Sequence, residues 1–297
     1  ALKDAGIKKN TIDEIIMVGG STRVPLVKEM VSGFFGKKLN DTVHPDEVVA
    51  LGAAIQADIL AGNTTDLLLL DITPLSLGLE TMGGLMDVLL PRNSKIPTKA
   101  SRQYTTYKDG QSGMKIAVYQ GERDMVKDNR RLAEFNLTGI PGMPAGMPKV
   151  EISFLINADG ILVVNAKELR SGVEQSVEVK PQYGLTDEEV EKMLLDSMQH
   201  AKADMDIRAL TEAKTEGEQL LTTTEKFVQK NFGELSKDEI TTTSLAMQAL
   251  QLALDMEDKN LIQAKTEELN DISRPYAERI MDEAIQKNMK GNKIDLM

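Results

Sequence analysis

The chain has 297 residues, enough for two or three domains with cores of their own, and carries 35 Lys+Arg against 46 Asp+Glu, a net charge of −11. With no cysteine and only His44 and His200, it has no disulfide framework, no thiolate ligand or nucleophile and no histidine-rich metal site. The acidic balance argues against nucleic acid, and no apolar run reaches the length of a membrane span, so neither is expected as a partner and the composition fits the cytoplasm.

Ala1 is not a start methionine, and Ala1-Leu2-Lys3-Asp4-Ala5 reads as a helix already under way, so the expectation is a piece of a longer protein. The apolar run from Ile12 to Val18 reads as a strand ending in Gly19-Gly20-Ser21-Thr22-Arg23, after which Val24-Pro25-Leu26-Val27 opens a helix. Such a corner can face an anion or nucleotide because small residues let backbone N–H groups approach it. Plain turn chemistry accounts for the same residues, and neither a P-loop Lys-Ser/Thr nor a spaced three-glycine fingerprint is present. His44-Pro45-Asp46-Glu47 caps a second helix whose Gly52-Ala53-Ala54 predicts tight packing.

Leu67, Leu68, Leu69 and Leu70, between Asp66 and Asp71, are too few for a buried helix. Undocked, each leucine forgoes roughly 1.5–3 kcal/mol of burial, so the run reads as a connector that must cover some surface. The alternative is the first strand of the following sheet.

Residues 71–183 change to period two. Lys115 to Val118, Val150 to Phe154, Ile161 to Val164 and Ser176 to Val179 read as strands, Asn157-Ala158-Asp159-Gly160 as a hairpin turn and Pro141 to Pro148 as a long connection. The pattern predicts an antiparallel sandwich with no catalytic constellation, for which binding is the better reading. Met82, Tyr104, Tyr107 and Met114 suit the gripping of varied apolar partners, although such residues are more often plain core.

From Gly184 onward, 14 Lys+Arg face 24 Asp+Glu. Capping boxes at Thr186-Asp187-Glu188-Glu189 and Ser236-Lys237-Asp238-Glu239 start helices, and 255–260 is a turn before a third. A helical bundle follows, with Pro275 expected to kink or interrupt its last helix.

Taken together, Met17-Val18-Gly19-Gly20-Ser21-Thr22-Arg23, His44-Pro45-Asp46-Glu47, the leucine run and Asp71 to Gly84 resemble the C-terminal half of the 70-kilodalton heat-shock chaperone family of the DnaK type, as do Gln120-Gly121-Glu122-Arg123 and Asp159-Gly160-Ile161-Leu162. Pro91-Arg92-Asn93, Tyr107 to Gln111, Pro144-Ala145-Gly146 and Val179 to Asp187 place the resemblance closest to its HscA branch of iron-sulfur assembly chaperones.

That resemblance implies the end of an actin-like α/β ATPase domain at 1–62, an interdomain linker at 63–70, a peptide-binding β-sandwich at 71–183 and a helical lid at 184–297. ATP or ADP with Mg would bind the full-length protein through Gly19, Gly20, Ser21, Arg23 and Asp46, while the fragment alone would hydrolyse nothing and bind nucleotide weakly. The peptide channel would comprise Leu79, Thr81, Met82, Tyr104, Tyr107, Gln111, Gly113, Met114, Ile116 and Val150. Met114 stands where valine is common and Tyr107 where alanine is frequent, and the larger methionine implies a narrower client range. Leu67 to Leu70, Asp71, Arg92, Pro97 and Asp159 would carry interdomain signals. At the lid, Ala145 and Glu218 cannot form the usual ion pair and Thr222 would face Asp109, so a readily opened lid is expected. The implied partners are an extended client peptide, in particular an iron-sulfur scaffold protein, and a J-domain co-chaperone. A general DnaK-type folding chaperone, a nucleotide-hydrolysing piece working at Gly19 and a self-associating helical bundle are the competing readings.

Overall fold

The computed structural model describes residues 2, 5–40, 42, 44, 47–61 and 71–291. The chain divides into two compact units, 1–70 and 71–297. Asp46 and the leucine run 67–70 lie outside the described residues.

In the first unit, Ile15 and Met17 are buried, and residues 15–17 meet Asn40 through a single parallel bridge in which the Met17 N–H donates to the Asn40 carbonyl at 3.0 Å. Among the described residues the expected strand from Ile12 to Val18 is reduced to that bridge to Asn40. A 3₁₀ turn, Gly20–Arg23, leads into α1 (Pro25–Phe35), with Pro25 in the first helical turn, where its missing N–H costs nothing. Helix α2 (Val48–Leu60) begins after Glu47, with no side-chain cap. Among the described residues the tight packing expected of it is not found: Val49, Leu51 and Ile55 stand exposed. Small residues permit close approach but do not supply the surface to be approached.

The second unit opens with β1 (Asp71–Ile72), β2 (Leu77–Thr81), β3 (Leu85–Leu90), β4 (Lys95–Ile96), β5 (Thr98–Tyr104) and β6 (Gly113–Gln120). It continues through β7 (Arg130–Thr138), β8 (Val150–Ile156), β9 (Leu162–Glu168) and β10 (Glu174–Val179). Two four-stranded antiparallel sheets, in the orders β3-β2-β6-β7 and β10-β9-β8-β5, face each other, and β1 pairs with β4. Alternation along β8 and β9 points every second side chain inward, which is why Ile152, Phe154, Leu162 and Val164 share one core with Leu77, Ile116 and Leu137. The turn at 157–160 forms as expected: the Asn157 carboxamide accepts from the N–H groups of Asp159 and Ile161 at 3.0 and 2.9 Å.

Three helices follow: α3 (Asp187–Lys230), α4 (Lys237–Met256) and α5 (Lys259–Gly291). Both capping boxes are complete, with Thr186 and Ser236 accepting from Glu189 N and Glu239 N while each glutamate reaches back. The helices pack on Leu250, Ala253, Ile262 and Leu269, with a second cluster around Leu235, Tyr276 and Ile280. Pro275 does not interrupt α5, which runs through it. Tyr276 and Ile280, packed just beyond the proline, hold that part of the helix to its neighbours. Among the described residues no helix is long and apolar enough to cross a membrane.

Candidate functional site

Between the two sheets of the sandwich a crevice of about 770 Å³ opens at the end marked by Thr81 and Tyr104. Its walls come from β2 and β6 on one side and β5 and β8 on the other. Leu79 and Ile116 are buried in its floor, Met114 is half-buried in the wall, and Met82 and Tyr107 stand at the rim at 39% and 38% exposure.

Eight of the ten residues expected in the channel line this crevice: Leu79, Thr81, Met82, Tyr104, Tyr107, Gln111, Met114 and Ile116. Gly113 and Val150 do not line it. Val150 is fully buried and pairs with Tyr104, supporting that wall from within, while Gly113 pairs with Thr138. Gln111 is committed to its own loop, accepting from Tyr107 N and Lys108 N and donating to the Gly113 carbonyl at 2.7 Å. Ala117, Gly146, Lys149 and Ile152 also line the crevice and escape the sequence reading: Ala117 follows Ile116 on β6, and Ile152 reaches the site because β8 pairs with β5. The Tyr104 hydroxyl donates to Asp87 at 2.7 Å; burial and then that carboxylate push the phenol's pKa well above its usual range.

Helix α3 packs against residues 82–84, next to Met82 at the rim. Gly83, at φ +77°, sits so close beneath it that a Cβ there would lie 2.3 Å from the Thr211 methyl. The N-terminal half of α3 is anchored to the loop after β6. Arg123 donates to Asp204 through Nε at 2.5 Å and Nη2 at 2.8 Å, to Asp196 at 2.5 Å, and lies 3.8 Å from Asp128. The Arg123 guanidinium holds the Asp204 carboxyl below the ordinary carboxylate range in spite of its burial. Arg208 adds a bond to Asp124 at 2.7 Å.

Further along α3 the expected Thr222–Asp109 contact is not made. The Thr222 hydroxyl donates to Glu218 O in its own helix, while Asp109 accepts from Lys226 Nζ and from Ala145 N–H, both at 2.8 Å. The longer lysine, one turn on, spans a gap that a threonine cannot. These two donors, the backbone one first, lower the Asp109 pKa.

The residues expected to signal between domains gather mainly at the other end of the sandwich. Asp71 pairs with Ile96, and Pro97 precedes Thr98, which pairs with Ile156 beside the turn that carries Asp159. Arg92 donates its N–H to Ser76 Oγ, and its guanidinium lies 3.9 Å from Glu122. In the first unit, Gly19 has φ +86° with open space where a side chain would stand, and Gly20, Ser21 and Arg23 are exposed on the turn that follows.

A sequence model of the family described as Hsp70 protein matches residues 1–282. "Chaperone protein HscA" of Yersinia enterocolitica is 46% identical over 297 residues, 99% of this chain and 48% of that protein. The protein of that name from Cronobacter sakazakii is 47% identical over the same shares, and the one from Klebsiella pneumoniae 46%. The chain thus spans about half the length of the curated relatives it matches.

Proposed function

Because the chain belongs to the Hsp70 family, we propose that it forms the C-terminal half of an ATP-dependent chaperone whose sandwich holds extended apolar segments of a client while the helices close over them. The observation that carries this reading is the crevice: it is apolar, open at its rim and walled by both sheets, and α3 packs on the turn beside Met82 at that rim. An extended peptide gripped by backbone hydrogen bonds and one or two side-chain pockets is the matching recognition mode. Met114, in the crevice wall, should shrink the central pocket, which favours a dedicated client such as an iron-sulfur scaffold protein over a broad range of unfolded chains.

In the whole protein, ATP or ADP with Mg would meet Gly19, Gly20, Ser21, Arg23 and Asp46. The positive φ and open surroundings of Gly19 fit a backbone that a ligand approaches closely. Hydrolysis of the bound nucleotide would supply the energy of the cycle, with a J-domain co-chaperone as a partner. Leu67 to Leu70 would dock on the ATPase domain, and Asp71, Arg92, Pro97 and Asp159 would relay its state.

The test is fluorescence anisotropy of two labelled peptides, one a proline-bearing scaffold-type segment and one leucine-rich, against this chain and its Met114→Phe variant. Preference for the proline peptide, lost in the variant, is expected. Equal binding of both would return the protein to the general DnaK-type chaperones, and binding of neither would overturn the proposal.

A further inference from the structure

Strands β3 and β5 are the outer strands of the two facing sheets, and among the described residues no further strand closes the gap between them on this side of the sandwich. Asp87 bridges it. Its Oδ2 accepts from the Tyr104 hydroxyl at 2.7 Å, and its Oδ1 from the Arg102 guanidinium, both partners being on β5. Asp87 is also the direct cross-strand neighbour of Leu79 on β2. One carboxylate is therefore tied through the β2–β3 ladder to one wall of the crevice and through its side chain to the other.

The backbone keeps this bridge in register. A Cβ at Gly78 would lie 2.4 Å from the Asp87 carbonyl oxygen, so only glycine lets β2 and β3 approach as they do at the bulge between Leu77 and Gly78. The Asp87 side chain is 22% exposed, and Arg102 balances its charge, so the carboxylate is held in place without standing as an isolated anion beside an apolar site.

We infer that Asp87 is a positioning residue that sets the spacing of the crevice walls, and with it the size of the side chain the crevice accepts. The inference rests on the peptide-binding reading. A tether across the open edge holds the Tyr104 ring at a fixed distance from Leu79. Without it the edge can spread, so that bulky side chains enter and bound peptides leave sooner.

The test uses the full chain and two labelled peptides that differ only in a central leucine or tryptophan, with affinities, release rates and melting temperature measured together. Asp87→Ala is expected to speed release of the leucine peptide about tenfold, the order expected for a lost hydrogen bond to a charged group. It should also cut the leucine-over-tryptophan preference by a factor of about ten. Asp87→Asn, which keeps the shape and an acceptor for Tyr104, should retain that preference. Tyr104→Phe, which removes one oxygen and keeps the ring, should shift it in the same direction as Asp87→Ala, and the double variant should add nothing further. Should Asp87→Ala not fold, Tyr104→Phe alone decides. An unchanged preference in Asp87→Ala or Tyr104→Phe, with the parent chain binding both peptides, would overturn the inference while leaving the binding reading intact. Failure of the parent chain to bind either peptide would overturn both.

Discussion

Replacing Asp204 with alanine removes two charge-assisted hydrogen bonds from Arg123, whose side chain is only 12% exposed. Each such bond contributes about 1.5–3 kcal/mol, and breaking a buried ion pair outright costs about 3–5 kcal/mol. Asp196 at 2.5 Å and Asp128 at 3.8 Å still face the guanidinium, so the net loss should be smaller, about 2–3 kcal/mol. The loss falls on the docking of α3 rather than on the sandwich core, because Asp204 lies on α3 and Arg123 on the loop after β6. In amide hydrogen exchange, residues 187–215 should therefore exchange about 30- to 150-fold faster while β8 and β9 keep their protection. The same contact carries a pH dependence. Because the folded Asp204 pKa is lowered, its contribution is complete above the unfolded value near about 4 and is lost as pH falls through the folded pKa, so α3 should loosen below about pH 4 but not at pH 6. Unchanged exchange in α3, or an equal loss of protection in β8 and β9, would refute the anchoring argument.

Lys226→Ala should speed peptide release by about two- to fivefold in low salt and hardly at all in 1 M salt, because the pair it forms with Asp109 is exposed at both ends; stopped-flow release across a salt series checks this. Gly83→Ala forces a Cβ into Thr211 at a positive φ and should weaken the seating of α3 by about 1–3 kcal/mol, with partial recovery in Gly83→Ala/Thr211→Ser, read by thermal melting and exchange at 205–215. Leu250→Ala, at a fully buried position among the helices, should cost about 2–5 kcal/mol in chemical denaturation and leave the protection of the sandwich unchanged.

The features legible in the sequence are those whose chemistry is local. Both capping boxes need only four consecutive residues, and both form. The alternation in β8 and β9 needs only one buried face, and it is found. What escaped depends on which elements become neighbours. Asp87 carries no signal in the sequence; its role depends on β3 and β5 being outer strands on the same side of the sandwich. The contact to Asp109 comes from Lys226 rather than Thr222 because reach across a gap is set by side-chain length, which motif position does not carry. Apolar spacing from Ile12 to Val18 signals a strand, but a strand needs a partner ladder, and among the described residues Asn40 offers a single bridge. In α2, small residues signal close packing, yet they specify no surface to pack on.

The most direct test of a peptide-holding sandwich is amide hydrogen exchange of the full chain with and without a saturating apolar peptide. New protection is expected at 79–84 and 104–116, around the crevice, with a smaller gain where α3 crosses Gly83. Protection confined to α4 and α5, or none anywhere at saturation, would contradict the account.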